Sequence, residues 1–258
     1  MLLSELVSQW GRSKLVHRRN DRWGDILVID QGDHRILTFD SIYEQSRFNL
    51  KHPALLVHYY TRAMLLGLAF MEPRHITLLG LGSGCLLQAF HRMFDNAVFE
   101  VVEYRQAVVD VASEFFNLPA SPNIRVSVTD AGHYLKATPA ASTDMIFADM
   151  YTAEDMNPLQ LQKSFLRQCH RVLTEEGWLV GNFHELPDPT SEFFTVLHSL
   201  FAEVLLYHVP DENYIIYASK HKLIASLETY ALRTKWFPYN DKIGYDFLFS
   251  RIVRLSKQ

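Results

Sequence analysis

Gly80-Leu81-Gly82-Ser83-Gly84 is the segment of this chain best suited to hold a ligand. It follows the apolar run Ile76-Thr77-Leu78-Leu79 and opens the helix-patterned Leu86–Phe94. Glycine admits left-handed backbone and lets a ligand approach the main chain closely. Without a ligand, the same segment reads as a plain strand-to-helix turn. A dinucleotide fingerprint would place its third glycine where Cys85 stands, which argues against a pyrophosphate on the helix. The compact G-x-G-x-G form suits a nucleoside without phosphates.

Three acids follow at the ends of successive apolar strands. Glu103 ends Ala97–Glu103 and is placed to accept from both hydroxyls of a ribose. Asp130 follows Ile124–Val128. It can accept from the exocyclic amine of a base, or cap the helix that begins at Ala131-Gly132. Asp149 ends Met145–Ala148 and precedes the polar loop Met150–Asn157, of a length that suits a lid. In open α/β sheets ligands bind at the carboxyl ends of strands, where all of these residues fall.

Other chemistries find little support. His184-Glu185 is followed by Asp188 rather than the histidine of an H-E-x-x-H zinc site, so no metal is expected. No G-x-S-x-G elbow appears, and Cys85 in its apolar setting reads as packing. The aromatic pair Tyr59-Tyr60, on a helical stretch, reads as packing or as the lining of a substrate slot.

The elements that must position these residues divide the chain by hydrophobic period. Asp25–Asp30 and His34–Phe39 read as strands joined by a Gln31-Gly32-Asp33 turn, with Leu15–Arg18 as a third strand. They form a small antiparallel β piece within residues 1–52. Pro53 starts a long helix, Ala54–Phe70. Short apolar strands then alternate with helices: Leu86–Phe94, Ala107–Phe116, Gly132–Ala137, Pro158–Leu173 and Thr190–Phe201. That alternation predicts a parallel sheet covered on both faces. Trp178–Asn182 is its fifth strand. Glu203–Val209 and Tyr214–Ser219 lie too close for a crossover, so the last strand runs antiparallel. The fold expected over 53–222 is a Rossmann-like methyltransferase fold, α/β, with a mostly parallel sheet and an antiparallel last strand. Residues 223–258 form a C-terminal tail with helical potential and scattered aromatics.

Composition narrows the class. The 258 residues are 48% hydrophobic and 21% charged, with a net charge of −4. That is the profile of a globular protein, not of a dedicated nucleic-acid binder with a basic excess. Two cysteines exclude a disulfide scaffold and suit a reducing compartment. No apolar run approaches the ~20 residues of a membrane span. The opening Met1-Leu2-Leu3-Ser4-Glu5 lacks a basic lead-in, so no signal peptide is expected and the cytoplasm is the expected location.

The ordered matches Gln45-Ser46, Tyr60-Thr61-Arg62-Ala63-Met64, Gly80–Gly84, Val102-Glu103, Asp130-Ala131, Asp149-Met150-Tyr151 and Leu173–Gly177 resemble the spermidine synthase (polyamine aminopropyltransferase) family. The likeness is greatest to its short bacterial branch and covers roughly residues 25–220. The resemblance implies decarboxylated S-adenosylmethionine as aminopropyl donor and an amine as acceptor. It implies that Glu103 holds the ribose, that Asp130 and the Ala131 backbone hold adenine, and that Gln45 lies near the donor. Asp149 matches the catalytic acid, and Tyr59 or Tyr60 a substrate-slot tyrosine. A homodimer is implied by the same analogy. Three positions depart from the family pattern: Ser83, Tyr104 and Thr152 stand where acids are usual. Glu154 and Asp155, on the lid, are the candidates to replace them. Two other readings remain open: a methyltransferase using S-adenosylmethionine, and a non-catalytic nucleoside-binding homologue.

Overall fold

The computed structural model describes residues 13–39, 43–153, 155–210 and 213–255. Met1–Glu5 and the lid candidate Glu154 lie outside the described residues, as do Asp211 and Glu212. The N-terminal part is a four-stranded antiparallel sheet, in the order β1 (Ser13–Asp21), β2 (Gly24–Gln31), β3 (His34–Phe39) and β4 (Glu44–Asn49). Gln31 pairs with His34, and Gly32 takes φ 58°, which a two-residue hairpin turn requires. Ile26, Val28, Leu37, Phe39 and Phe48 pack against Val108, Val111 and Phe116 of the larger domain. The sequence pattern names three strands here, whereas a fourth, β4, completes the sheet at Glu44–Asn49. Its residues Gln45, Ser46 and Arg47 carry little apolar signal, and the pairing with β3 forms it.

The second sheet has eight strands. The core of it is β5 (His75–Leu79), β6 (Val98–Glu103), β7 (Ile124–Val128), β8 (Thr143–Ala148) and β9 (Leu173–Phe183). Neighbours within this group pair in parallel, in the order β9-β8-β5-β6-β7. Beyond β9 come β11 (Tyr214–Ser219), β10 (Glu203–His208) and the two-residue β12 (Val253–Arg254). β11 is antiparallel to both β9 and β10, because the short turn after β10 can only reverse the chain. This is the methyltransferase-like Rossmann fold. The strand order reverses between β5 and β8, the switch point where such sheets open a crevice.

The helices are α1 (Tyr59–Leu65), α2 (Cys85–Met93), α3 (Gln106–Phe115), α4 (Ala131–Ala137), α5 (Lys163–Val172) and α6 (Glu192–Leu200). The long helix Ala54–Phe70 is not found. α1 begins only after His58, whose extended backbone (ψ 140°) caps it, and gives way to a 3-10 turn at Leu66–Ala69. The apolar run before His58 is not helical: Leu56 is buried in the core from an irregular segment, not from a helix face. A Cβ on Gly67 would come within 2.7 Å of Val180, so the 3-10 turn lies directly on β9.

The tail is integral to the core. It folds as α7 (Leu227–Ala231), a 3-10 turn at Leu232–Trp236, α8 (Asn240–Ile243), α9 (Tyr245–Phe249) and β12. Tyr230, Phe237, Tyr245, Phe249 and Ile252 are buried in the same cluster as Phe70, Trp178 and Tyr217. Phe70 stacks on Trp178 at 4.3 Å and meets Phe249 at 5.4 Å.

Candidate active site

The glycine segment turns sharply as β5 ends. Gly80 takes φ 98°, and a Cβ there would lie 2.1 Å from the Asp149 carbonyl oxygen. Asp149 N–H in turn donates to Leu79 O at 2.9 Å, so the ends of β5 and β8 are held in contact. Gly82 (φ 54°) lies against Ser46 of β4, whose hydroxyl accepts from Ser83 N–H at 3.2 Å. Gly84 (φ 78°) starts α2, and a Cβ on it would meet Leu118 at 2.4 Å. All three glycines are therefore required by backbone shape and by close neighbours.

Glu103 closes the loop from below. Its carboxylate accepts from Leu81 N–H and from Arg105 N–H, each at 3.0 Å. Burial pushes its pKa up, while these amides oppose the shift. Arg105 pairs with Asp21 through two hydrogen bonds, at 2.7 and 3.0 Å, and also donates to Gly24 O. The hairpin tip of the N-terminal sheet is thus fastened to the residue beside Glu103. At that tip Trp23 packs on Tyr104, ring centroids 4.8 Å apart.

Asp130 is exposed and caps α4, accepting from His133 N–H through Oδ1 at 2.9 Å. Ala131 beside it is buried. The capping role is therefore present, and it occupies one carboxylate oxygen.

Asp149 sits at the foot of the crevice, surrounded by protein yet with an edge open to solvent. Burial pushes its carboxyl up to about 6, and the hydrogen bond from Asn182 Nδ2 at 2.9 Å works against that rise. Asn182 belongs to β9, where a polar residue interrupts an apolar strand. That interruption is its signal in the sequence, one the apolar pattern alone does not single out. Asn182 O also accepts from Gln160 Nε2 at 3.3 Å, and Tyr151 OH, which accepts from Asn213 Nδ2 at 3.2 Å, lies 3.5 Å from it. Burial drives the Tyr151 phenol upward, so it stays protonated and can donate. Among the described residues, Asn182 Oδ1 and Gln160 Oε1 are buried without a hydrogen-bond partner. Buried polar atoms usually find one, so these mark where a polar ligand or water belongs. The Cys85 thiol is pushed up to about 11 by burial, with the Asp149 charge adding to it, and is no nucleophile at neutral pH.

The loop after Asp149 turns back on itself. Thr152 N–H donates to Asp155 O, and Tyr151 bridges to Met156. Gln45 Nε2 donates to Thr152 O at 3.2 Å, and Tyr60 OH donates to Gln45 O at 3.3 Å. Tyr60 and Gln45 are thereby brought to the lid. Tyr59 is not: it is 59% exposed, with the Arg62 guanidinium 5.0 Å from its ring. Asp155 lies at the rim, exposed, 4.0 Å from His184 Nδ1. Among the described residues no group of three or more His, Cys, Asp or Glu could hold a metal ion.

The glycine loop, the strand-end acids and the switch-point crevice define the chain as a protein of methyltransferase-like Rossmann fold. Comparison with known proteins narrows this. No family model matches the chain. It is similar to a polyamine aminopropyltransferase of Vibrio vulnificus, 25% identical over 221 residues, spanning 82% of this chain and 74% of the relative. It is also similar to one of Neisseria meningitidis, 28% identical over 193 residues, spanning 74% and 73% of the two chains. The structure of a probable spermidine synthase from Corynebacterium glutamicum superposes with a TM-score of 0.76 at 21% identity, over 85% of each chain. A spermidine synthase bound to the transition-state analogue AdoDATO superposes with a TM-score of 0.67 at 14% identity, over 87% of this chain and 79% of the other. Human methyltransferase-like protein 13, bound to SAH, has a TM-score of 0.59 at 20% identity, covering 76% of this chain and 92% of the other. The chain is thus a relative of the polyamine aminopropyltransferases on a fold shared with methyltransferases.

Proposed function

We propose that this protein transfers an aminopropyl group from decarboxylated S-adenosylmethionine to an amine. The observation that carries the reading is Asp149, a carboxylate raised to about 6 at the switch-point crevice, between the glycine loop and a lid. The nucleoside lies along the strand ends, with Glu103 toward the ribose and Asp130-Ala131 toward adenine. The nitrogen of the acceptor attacks the methylene next to the sulfonium. The new C–N bond forms as the C–S bond breaks, and methylthioadenosine leaves. The acceptor is an ammonium at neutral pH, so a proton must leave before its lone pair can attack. Asp149 takes it, since a base works best with a pKa near the working pH. Asn182 fixes the Asp149 carboxylate, and the lid excludes water. Positioning supplies much of the remaining rate.

The missing acids at Ser83, Tyr104 and Thr152 shape the acceptor. A buried ammonium without a carboxylate partner is penalised by several kcal/mol. Putrescine turnover is therefore expected to be weak. The neutral Ser83 also favours a second reading, a methyltransferase that takes S-adenosylmethionine with its carboxylate.

Thermal shift separates the readings. A ligand at 100 times its Kd stabilises by about 2.7 kcal/mol. Larger shifts with methylthioadenosine and the decarboxylated donor than with S-adenosylhomocysteine support aminopropyl transfer. The reverse order supports methyl transfer. Binding of nucleosides with no turnover on any amine points to a non-catalytic homologue.

A further inference from the structure

The opposite end of the sheet carries a groove that plays no part in this chemistry. Its volume is about 870 Å³. It opens where β5 begins and α2 ends, at the amino ends of the strands, between the main domain and the tail. Leu68, Met71 and Met93 line its apolar side. Trp236 stands on its rim and is 89% exposed. Leu232 and Phe247, on the 3-10 turn and the helix α9 packed against it, are also exposed. A tryptophan left this open beside a groove with one apolar side is suited to anchor a docking partner.

The charge around the groove has one sign in excess. Arg92 and Arg233 line it, against the single carboxylate of Glu72. Arg92 is exposed, and no ion pair to it is seen among the described residues. Between residues 222 and 254 there are six Lys and Arg against three Asp and Glu, in a chain whose net charge is −4. Arg254 pairs with Glu203 at 2.8 Å, and the remaining cations still leave the tail net positive on an acidic protein. Charge of this kind selects a partner of the opposite sign and speeds its arrival.

We propose that this groove docks an acidic polypeptide segment that inserts one large apolar side chain beside Trp236. The carboxylates of the segment pair with Arg92 and the neighbouring tail cations. The groove suits a peptide because it offers both a recess for an anchor and a charged rim, as helix- and strand-binding grooves do. The site is independent of the transfer reaction, and its failure would leave the reading of Asp149 untouched.

The test uses the full chain. Random twelve-residue peptides displayed on phage are selected on the wild-type protein, with counter-selection on Trp236→Ser and Arg92→Glu. Both residues are exposed, so both variants should keep the wild-type circular dichroism and melting curve. The expected peptides are net negative and carry a Trp, Phe, Leu or Met. A synthetic copy should bind at least about tenfold more weakly to either variant, and more weakly at higher salt. The proposal is overturned by no enrichment, by enriched peptides without acidic residues, by equal binding to the variants, or by loss, in Trp236→Ser, of a dimer seen by sedimentation, which would make a second copy the occupant. Capture of the wild type, but not the variants, by phosphatidylserine vesicles with no peptide binding would likewise replace the peptide by a lipid surface.

Discussion

Asp149 holds a carboxylate where ionisation is disfavoured, and two measurements follow from that. Its folded-state pKa, about 6, lies above the 3.8 of an ordinary aspartate. The ionised side chain therefore costs stability, fully above pH 6, and the cost fades as pH falls through 6 toward 4. Asp149→Asn removes it. The variant should be more stable at pH 8, by up to about 3 kcal/mol before screening at its open edge, with the gain shrinking at pH 5. Chemical denaturation at the two pH values checks this. The same substitution should lower turnover by about 10²–10⁴ with little change in methylthioadenosine affinity. Wild-type kcat/KM should fall as pH drops below about 6. A flat profile would remove Asp149 as the base. Glu103→Ala should abolish nucleoside binding, read by calorimetry. It should also loosen the loop, because Leu81 and Arg105 lose their acceptor, and hydrogen bonds to a charged group are worth about 1.5–3 kcal/mol each.

The lid is clasped at one point by a side chain from another sheet. Gln45 of β4 reaches Thr152 O, and Tyr60 holds Gln45 from α1. Gln45→Ala should speed amide exchange in residues 150–157 and raise KM for the acceptor while thermal stability changes little. Unchanged exchange there would show that the lid is held by its own turn. The strands that carry the site were legible in the residues themselves. Ile76–Leu79, Val98–Glu103 and Met145–Ala148 are apolar runs that end in a glycine or an acid, and short runs of that kind between helices form parallel strands. Gly80, Glu103 and Asp149 could be placed for that reason. β4 could not, because Gln45-Ser46-Arg47 shows no apolar alternation and is ordered by its partner strand. The register of Tyr59 and Tyr60 was open for a related cause: α1 starts at Tyr59, after its cap His58, rather than at Pro53, and the start sets which ring turns inward. Asn182 and Gln160 were missed because a single polar residue in an apolar strand or turn gains meaning only from what lies across from it.

Two long-range links make one body of the molecule. The Arg105–Asp21 pair joins the N-terminal sheet to the end of β6, with both side chains mostly shielded from water. Asp21→Ala leaves the guanidinium buried and unpaired, so unfolding free energy should drop by about 3–5 kcal/mol, with nucleoside affinity falling as Glu103 loosens. The tail is the other link. A chain ending at residue 222 uncovers Phe70 and Trp178 and should give no cooperative melt, which calorimetry would reveal. One contact also bears on ancestry. The space at Gly80 is filled by the Asp149 carbonyl oxygen, a backbone atom that every residue type at 149 possesses. Selection for folding alone therefore keeps glycine at 80, whatever the protein catalyses. A lineage that had abandoned the reaction would still carry this glycine, while the side chain at 149 drifted freely. On the proposed mechanism, the identity of residue 149 among descendants of this chain, and not the glycine loop, would record whether the chemistry is still under selection.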